Sequence, residues 1–130
     1  MYEAVTRDVR VKVEPEFDPD RSEPGNRRYF WLYHIEIFND GTDVVRLMTR
    51  HWEITDANGN RENVDGPGVI GKMPVIQPGE SFAYTSGCPL PTSSGIMVGH
   101  YEMVLPSGDT FNCQVPAFSL DAPDTRPTLN

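Results

Sequence analysis

Apolar and polar residues alternate with a period of two along most of this chain, which is the pattern of half-buried β-strands. Val9, Val11 and Val13 alternate with charged residues and predict a first strand with one solvated face. Over residues 29–37 every second position is aromatic or aliphatic, and Phe30 and Leu32 make the opposite face partly apolar as well. We therefore predict that this strand is central in its sheet.

The same alternation predicts further strands over residues 44–54, 61–64, 82–84, 97–105 and 111–115, with a short apolar stretch at residues 73–76. Turn sequences rich in glycine, proline, asparagine and aspartate separate them, and no segment has the period of a helix. This order predicts an all-β protein, an antiparallel β-sandwich of the immunoglobulin or fibronectin type III kind with about seven or more strands. A barrel is the alternative arrangement.

The length of 130 residues predicts a single domain, which we place at residues 1–120. The last ten residues, 121–130, are polar and contain Pro123 and Pro127. We expect them to form a flexible C-terminal tail.

The formal net charge is −8, from 19 acidic and 11 basic residues. An acidic surface repels a phosphate backbone, so we expect no nucleic acid partner. The sequence has neither an apolar run long enough to span a membrane nor a signal peptide. We therefore expect a cytoplasmic protein that does not enter a membrane. Its two cysteines, Cys88 and Cys113, then fit reduced, packed thiols better than a disulfide.

Residues 66–71 read Gly-Pro-Gly-Val-Ile-Gly and match the G-x-G-x-x-G spacing of dinucleotide-binding loops. In those proteins the glycines open a helix whose N-terminus receives the pyrophosphate. Pro67 and Pro74 rule out a helix through this segment, because each proline removes an amide donor and clashes with the preceding turn. The motif is therefore interpreted without a helix dipole behind it.

Two interpretations of this motif stay open. In the first, its backbone amides form a nest for an anion, and a nearby cation adds positive charge. The candidate residues for that site are Gly66, Gly68, Gly71, Arg50 and Lys72. In the second, the glycines only provide the backbone conformations that an irregular connection between strands requires.

The sequence Arg50-His51-Trp52 precedes the glycine motif in a predicted strand. Alternation along a strand places Arg50 and Trp52 on one face and His51 on the other. We expect Trp52 in the core, and Arg50 either directed at the glycine motif or paired with an acid such as Glu53 or Asp56.

No metal site and no catalytic residue is predicted. The three histidines, His34, His51 and His100, lack the spacing of a ligand set, although His34 and Glu36 share a face of their strand. Cys88 lies in a strand end without the turn and helix that accompany a nucleophile elbow, so we interpret it as a small buried hydrophobe. We expect no enzyme activity and no cofactor.

Three stretches together resemble the bacterial ApaG proteins and the ApaG domain. They are residues 49–56 (TRHWEITD), 66–71 (GPGVIG) and 78–90 (PGESFAYTSGCPL), and the resemblance covers residues 3–120. It implies a fibronectin-type β-sandwich, which often stands alone in bacteria and serves as a module of eukaryotic F-box proteins. It also implies an association with cobalt and magnesium efflux or resistance. The family's glycine motif has been connected with nucleotide or pyrophosphate binding.

These inferences lead to one expected function and one alternative. We expect a non-catalytic accessory protein that binds an unknown partner protein through an exposed sheet edge or an apolar groove. The alternative is a small-molecule sensor that holds pyrophosphate or a nucleotide at the glycine motif. Exposed strand edges also allow a homodimer.

Overall fold

The computed structural model describes residues 2–123, which form two packed antiparallel β-sheets. The predicted β-sandwich is confirmed. In chain order the strands of this part are β1 Tyr2–Thr6, β2 Val9–Phe17, β3 Tyr29–Asn39, β4 Val45–Asp56, β5 Arg61–Pro67, β6 Val75–Ile76, β7 Ser81–Leu90, β8 Ser94–Val104 and β9 Thr110–Asp121. Two short 3-10 helices, Pro19–Arg21 and Pro24–Asn26, connect β2 to β3.

The first sheet has the order β1-β2-β3-β7, and the second has the order β5-β4-β8-β9, with β6 also paired to β4. β3 lies between β2 and β7, so its predicted central position is confirmed. A bulge in β4 between Leu47 and Thr49 shifts the register with β8 just before Arg50. This extra residue sets which side chains of β4 point into the sandwich.

The core lies between the two sheets and is formed by their inward-facing alternate residues. Its largest fully buried side chains are Trp31, Tyr101, Phe118, Ile35, Ile37, Leu47 and Ile76. Trp52 is 3% exposed and lies edge-on to the rings of Tyr33, Tyr101 and Phe118. The predicted core position of Trp52 is confirmed.

Three predicted boundaries differ from the structure. β1 was not predicted; it forms a hairpin with β2 through Arg7 and Asp8, whose φ angles of 47° and 65° fit the two-residue turn without a glycine to mark it. β5 continues through Gly66, which places the first glycine of the motif in a strand. β9 runs to Asp121 across a register shift near Pro116, so one residue of the predicted tail is in a strand. Residues 124–130 lie outside the described part.

Within residues 2–123 no helix has the length and apolar character needed to cross a membrane.

Candidate functional site

Arg50 on β4 lies opposite Gly66 on β5, and its guanidinium occupies the space that a side chain at position 66 would need. A Cβ atom built on Gly66 would lie 2.8 Å from Arg50 Cζ. Arg50 Nη1 donates hydrogen bonds to the carbonyl oxygens of Pro67 (3.0 Å) and Gly68 (2.9 Å). Arg50 therefore points at the glycine motif, as one of the two expectations had it. Of the two acids named as alternative partners, Glu53 pairs with His51 and Arg61, and Asp56 accepts from the amides of Asn58 and Asn60.

Gly68 marks a close approach between two backbone segments. Its φ angle is 60°, and a Cβ atom there would lie 2.1 Å from the carbonyl oxygen of Lys72. The amide of Gly68 donates to the carbonyl of Met48, in the bulge of β4 (2.8 Å). A side chain at position 68 would therefore disrupt the close contact between the backbone segments at Gly68 and Lys72, and with it the attachment of the loop to the sheet.

Gly71 belongs to a tight turn at the tip of the loop. Val69 N donates to Lys72 O (2.8 Å) and Lys72 N donates to Val69 O (2.9 Å), which closes a two-residue hairpin over Ile70 and Gly71. The φ angles of these two residues are 44° and 77°, the signs that a type I′ turn requires. Glycine and asparagine are favoured at both positions, so Ile70 is an outlier.

The loop uses several of its own donors internally. The amides of Gly68, Val69 and Lys72 donate to main-chain carbonyls, and Nη1 of Arg50 donates to two further carbonyls. The structure thus brings Arg50, Gly66 and Gly68 together, while Gly71 stands at the tip with no atom within 4 Å of a Cβ built on it. Anion binding at these residues stays a prediction.

Exposed apolar residues lie in the motif and just after it. Ile70 is 52%, Met73 37% and Val75 54% exposed, although each is a large hydrophobic residue. Arg46 Nε donates to Met73 O (3.3 Å), which places a cation beside this surface. We name the three side chains of Ile70, Met73 and Val75 the loop patch. In the sequence, residues 73–76 are only a short apolar stretch. The signal for the loop patch is the occurrence of apolar residues between turn residues, where polar side chains are usual.

The outer face of the second sheet carries a histidine pair. The rings of His51 and His100 lie 5.1 Å apart, and His51 Nδ1 donates to Asp65 Oδ1 (2.6 Å). Glu53 Oε2 lies 3.7 Å from the Nε2 atom of His51. The hydrogen bond to Asp65 is the main cause that raises the pKa of His51 above its ordinary value of 6.5, and Glu53 adds to it. In the described residues no group of three or more histidine, cysteine, aspartate or glutamate side chains is arranged to hold a metal ion.

This arrangement predicts the pH dependence of His51. A pKa raised in the folded state stabilises the fold fully below the unfolded value near 6.5, and that contribution is lost as the pH rises through the folded pKa. We expect Asp65→Asn to lower the pKa of His51 measured by NMR titration, and Glu53→Gln to lower it less. An unchanged His51 titration in Asp65→Asn would contradict the assignment.

The remaining candidate residues have structural partners. His34 Nε2 donates to Glu16 Oε1 (2.8 Å), and His34 Nδ1 lies 2.8 Å from Thr85 Oγ1. Cys88 and Cys113 are buried free thiols, as predicted, and burial raises the pKa of each to about 12. At neutral pH such thiols are protonated, which makes them poor nucleophiles.

Comparison with known proteins identifies the family. A family model described as the ApaG domain matches residues 19–105. The chain belongs to the ApaG family. Proteins named ApaG from Rhodospirillum centenum and Afipia carboxidovorans are 54% and 56% identical to it over 130 residues, covering 100% of each chain. The resemblance predicted from the three motifs is confirmed.

Solved structures support the same assignment. A Bordetella pertussis protein described as ApaA matches with a TM-score of 0.87 and 41% identity, over 91% of this chain and 96% of that chain. The C-terminal domain of wzt matches with a TM-score of 0.52 and 10% identity, over 99% of this chain and 81% of that one. At that identity the second match concerns the fold alone. The ApaG sandwich therefore extends across almost the whole described chain.

Proposed function

We propose that this ApaG protein is a non-catalytic accessory protein that binds a partner protein through the loop patch. The observation that carries the proposal is Ile70, a β-branched residue with a φ angle of 44° at the exposed tip of a turn. The left-handed region costs an L-residue about 1–2 kcal/mol, and asparagine or glycine would avoid most of it. Strain at an exposed apolar side chain favours a role in recognition over a role in folding.

The charges around the loop patch define the partner's chemistry. Arg46 pairs with Val75 across β4 and β6, and Lys72 follows the turn directly. Neither cation has an ion-pair partner among the carboxylates of residues 2–123. In a chain of net charge −8, this local excess of positive charge favours a partner that presents an apolar side chain flanked by carboxylates.

The proposal includes a cytoplasmic location and an indirect link to divalent cations. The association with cobalt and magnesium efflux comes from the family resemblance. A protein that binds a partner can alter efflux by acting on the transport machinery or its regulators, without itself carrying a cation. The buried, protonated state of Cys88 and Cys113 supports a role without nucleophilic chemistry.

Ile70→Asn is expected to raise the free energy of unfolding by about 1 kcal/mol, because it creates the Asn-Gly pair that a type I′ turn favours. Urea unfolding followed by tryptophan fluorescence measures the change. Val5→Asn is the matched control: Val5 is 59% exposed but lies in β1, so the substitution relieves no turn strain and brings no gain. A loss of stability in Ile70→Asn would contradict the strain assignment.

The same variants test partner binding. Tagged wild type, Ile70→Asn and Val5→Asn are used for affinity purification from cells of the source organism, and captured proteins are quantified by mass spectrometry. We expect some proteins to be captured by wild type and by Val5→Asn but not by Ile70→Asn, although Ile70→Asn is the more stable chain. Purified candidates are then titrated directly, at low and high salt. An identical captured set for all three chains would overturn the assignment of the loop patch.

One observation favours the sensor as a second candidate. A hollow of about 340 Å³ beside the motif is lined by Arg50, His51, His100 and Gly66, and also by Thr49 and by Asp65, whose carboxylate accepts from His51. Several nitrogen donors in one hollow suit a phosphate group. The experiment is a thermal shift with pyrophosphate, with and without Mg²⁺, on wild type and Lys72→Ala. No shift of wild type at millimolar pyrophosphate would overturn the sensor candidate. The same shift in both chains would remove Lys72, which does not line the hollow, from the candidate site.

A further inference from the structure

β7 is an edge strand of the first sheet and carries no charged side chain over its ten residues. It pairs with β3 on one side, and its other side has no neighbouring strand in the described part of the chain. Edge strands of monomeric proteins are usually blunted by charge, shortness, bulges or a covering segment. Of these devices β7 has only Pro89, near its C-terminal end.

The other long edge is covered. β9 also lacks charges before Asp121, but β1 closes it: Gln114 N donates to Thr6 Oγ1 (3.1 Å) and Ser119 N donates to Tyr2 Oη (3.3 Å). β5 is protected differently, since its seven residues include Arg61, Glu62 and Asp65. β7 is thus the edge that is at once long, uncharged and uncovered within residues 2–123.

The pairing of β3 determines which main-chain groups of β7 point away from the sheet. Phe30 O accepts from Asp18 N on the β2 side, whereas Asn39 N donates to Glu80 O on the β7 side. A central strand directs alternate residues to alternate neighbours, so the odd-numbered residues of β3 bond to β7. The register then leaves the main-chain groups of the remaining β7 residues pointing outward, and these are Ser81, Ala83, Thr85, Gly87 and Pro89.

We propose that β7 pairs antiparallel with β7 of a second copy of this chain, about a two-fold axis at Thr85. In this register Thr85 faces Thr85 of the second copy and Ala83 faces Gly87, so every outward amide and carbonyl of these residues finds a partner. Pro89, which has no N–H, falls opposite Ser81 at the ends of the ladder. Only the outermost hydrogen bonds are therefore lost.

The side chains of β7 suit this self-pairing. Ala83, Thr85 and Gly87 are small and exposed, and the ring of Phe30 covers Gly87 on that face. The methyl group of Ala83 from the second copy, opposite Gly87, is small enough to lie beside this ring. No like charges meet across the pair, although each chain carries a net charge of −8. Long-range repulsion between the copies is screened by salt, so the dimer is expected to strengthen as the salt concentration rises. A dimer held by ion pairs would instead weaken as the salt concentration rises, so the direction of the salt dependence distinguishes the two kinds of contact.

The test is a charge swap at the two-fold axis. Thr85→Lys alone and Thr85→Glu alone each place like charges directly opposite one another, and each is expected to weaken dimerisation by a factor of up to about five. Mixing the two variants in equal amounts is expected to restore a dimer, because Lys then faces Glu. Thr85→Val is the control: it removes the bond to His34 but adds no charge and stays dimeric.

Sedimentation velocity on the full chain, from about 10 µM to about 1 mM, measures the association, since a weak edge-to-edge dimer dissociates in this range. A wild type that is monomeric throughout, or a dimer unaffected by Thr85→Lys, would overturn the proposal. Association of either variant alone that equals the mixture would overturn the register. Self-pairing of β7 is independent of the loop patch, because Ile70→Asn leaves β7 unchanged. Sedimentation therefore tests the dimer separately from partner binding.

Discussion

Gly68→Ala is expected to lower the free energy of unfolding by about 2–3 kcal/mol. A Cβ atom at this position would lie 2.1 Å from Lys72 O, so the backbone of the loop has to move. The movement disturbs the hydrogen bond from Val69 N to Lys72 O, worth about 1 kcal/mol, and alanine at a φ of 60° adds about 1–2 kcal/mol of strain. Urea unfolding followed by tryptophan fluorescence measures the loss.

Gly71→Ala is the matched control for that experiment. Its φ angle is 77°, but no atom lies within 4 Å of the added Cβ, so it loses only the same conformational cost of about 1–2 kcal/mol. Equal losses in Gly68→Ala and Gly71→Ala would show that close approach contributes nothing at Gly68. The comparison also explains why Gly68 is a poor probe of ligand binding, since its substitution displaces the loop itself.

Arg50→Ala is expected to lower the free energy of unfolding by about 2 kcal/mol, because two carbonyls lose a charged donor and the surface of Gly66 is uncovered. The change is measured by the same urea titration. Arg50→Lys keeps the charge, but its ammonium would have to replace Nη1, the one nitrogen that donates to both carbonyl oxygens, and it lacks the planar guanidinium that lies against Gly66. We therefore expect it to recover about half of the loss.

Two outcomes would change the interpretation of Arg50. If Arg50→Ala were as stable as wild type, the hydrogen bonds to Pro67 and Gly68 would not hold the loop in solution. If Arg50→Lys recovered the full stability, the positive charge rather than the shape of the guanidinium would be decisive.

The glycine motif illustrates how sequence and structure differ in what they determine. The spacing of Gly66, Gly68 and Gly71 identified an unusual segment, and Pro67 correctly excluded a helix. The spacing could not show that each glycine is needed for a different reason. Gly66 leaves room for the guanidinium of Arg50, Gly68 allows close contact with the backbone of Lys72, and Gly71 forms a turn with Ile70. Each reason depends on a contact with a residue whose position the fold sets.

The edge strands show the same limit of what sequence alone predicts. Alternation predicted the strand through Phe82 and Tyr84, but β7 and β9 have similarly uncharged sequences, and only the packing of β1 against β9 separates a covered edge from an open one. The missed β1 has a related cause, since its turn uses Arg7 and Asp8 in conformations that favour glycine or asparagine.

The sequence by itself determined the all-β class, the central strand β3, the core position of Trp52 and the family, because these depend on local alternation and on motifs read in order. Only the tertiary structure decided that Arg50 binds the carbonyls of its own loop, that Ile70 is strained and exposed, and that β7 is the open edge. These features arise where segments distant in the chain meet or fail to meet, and no local pattern encodes that.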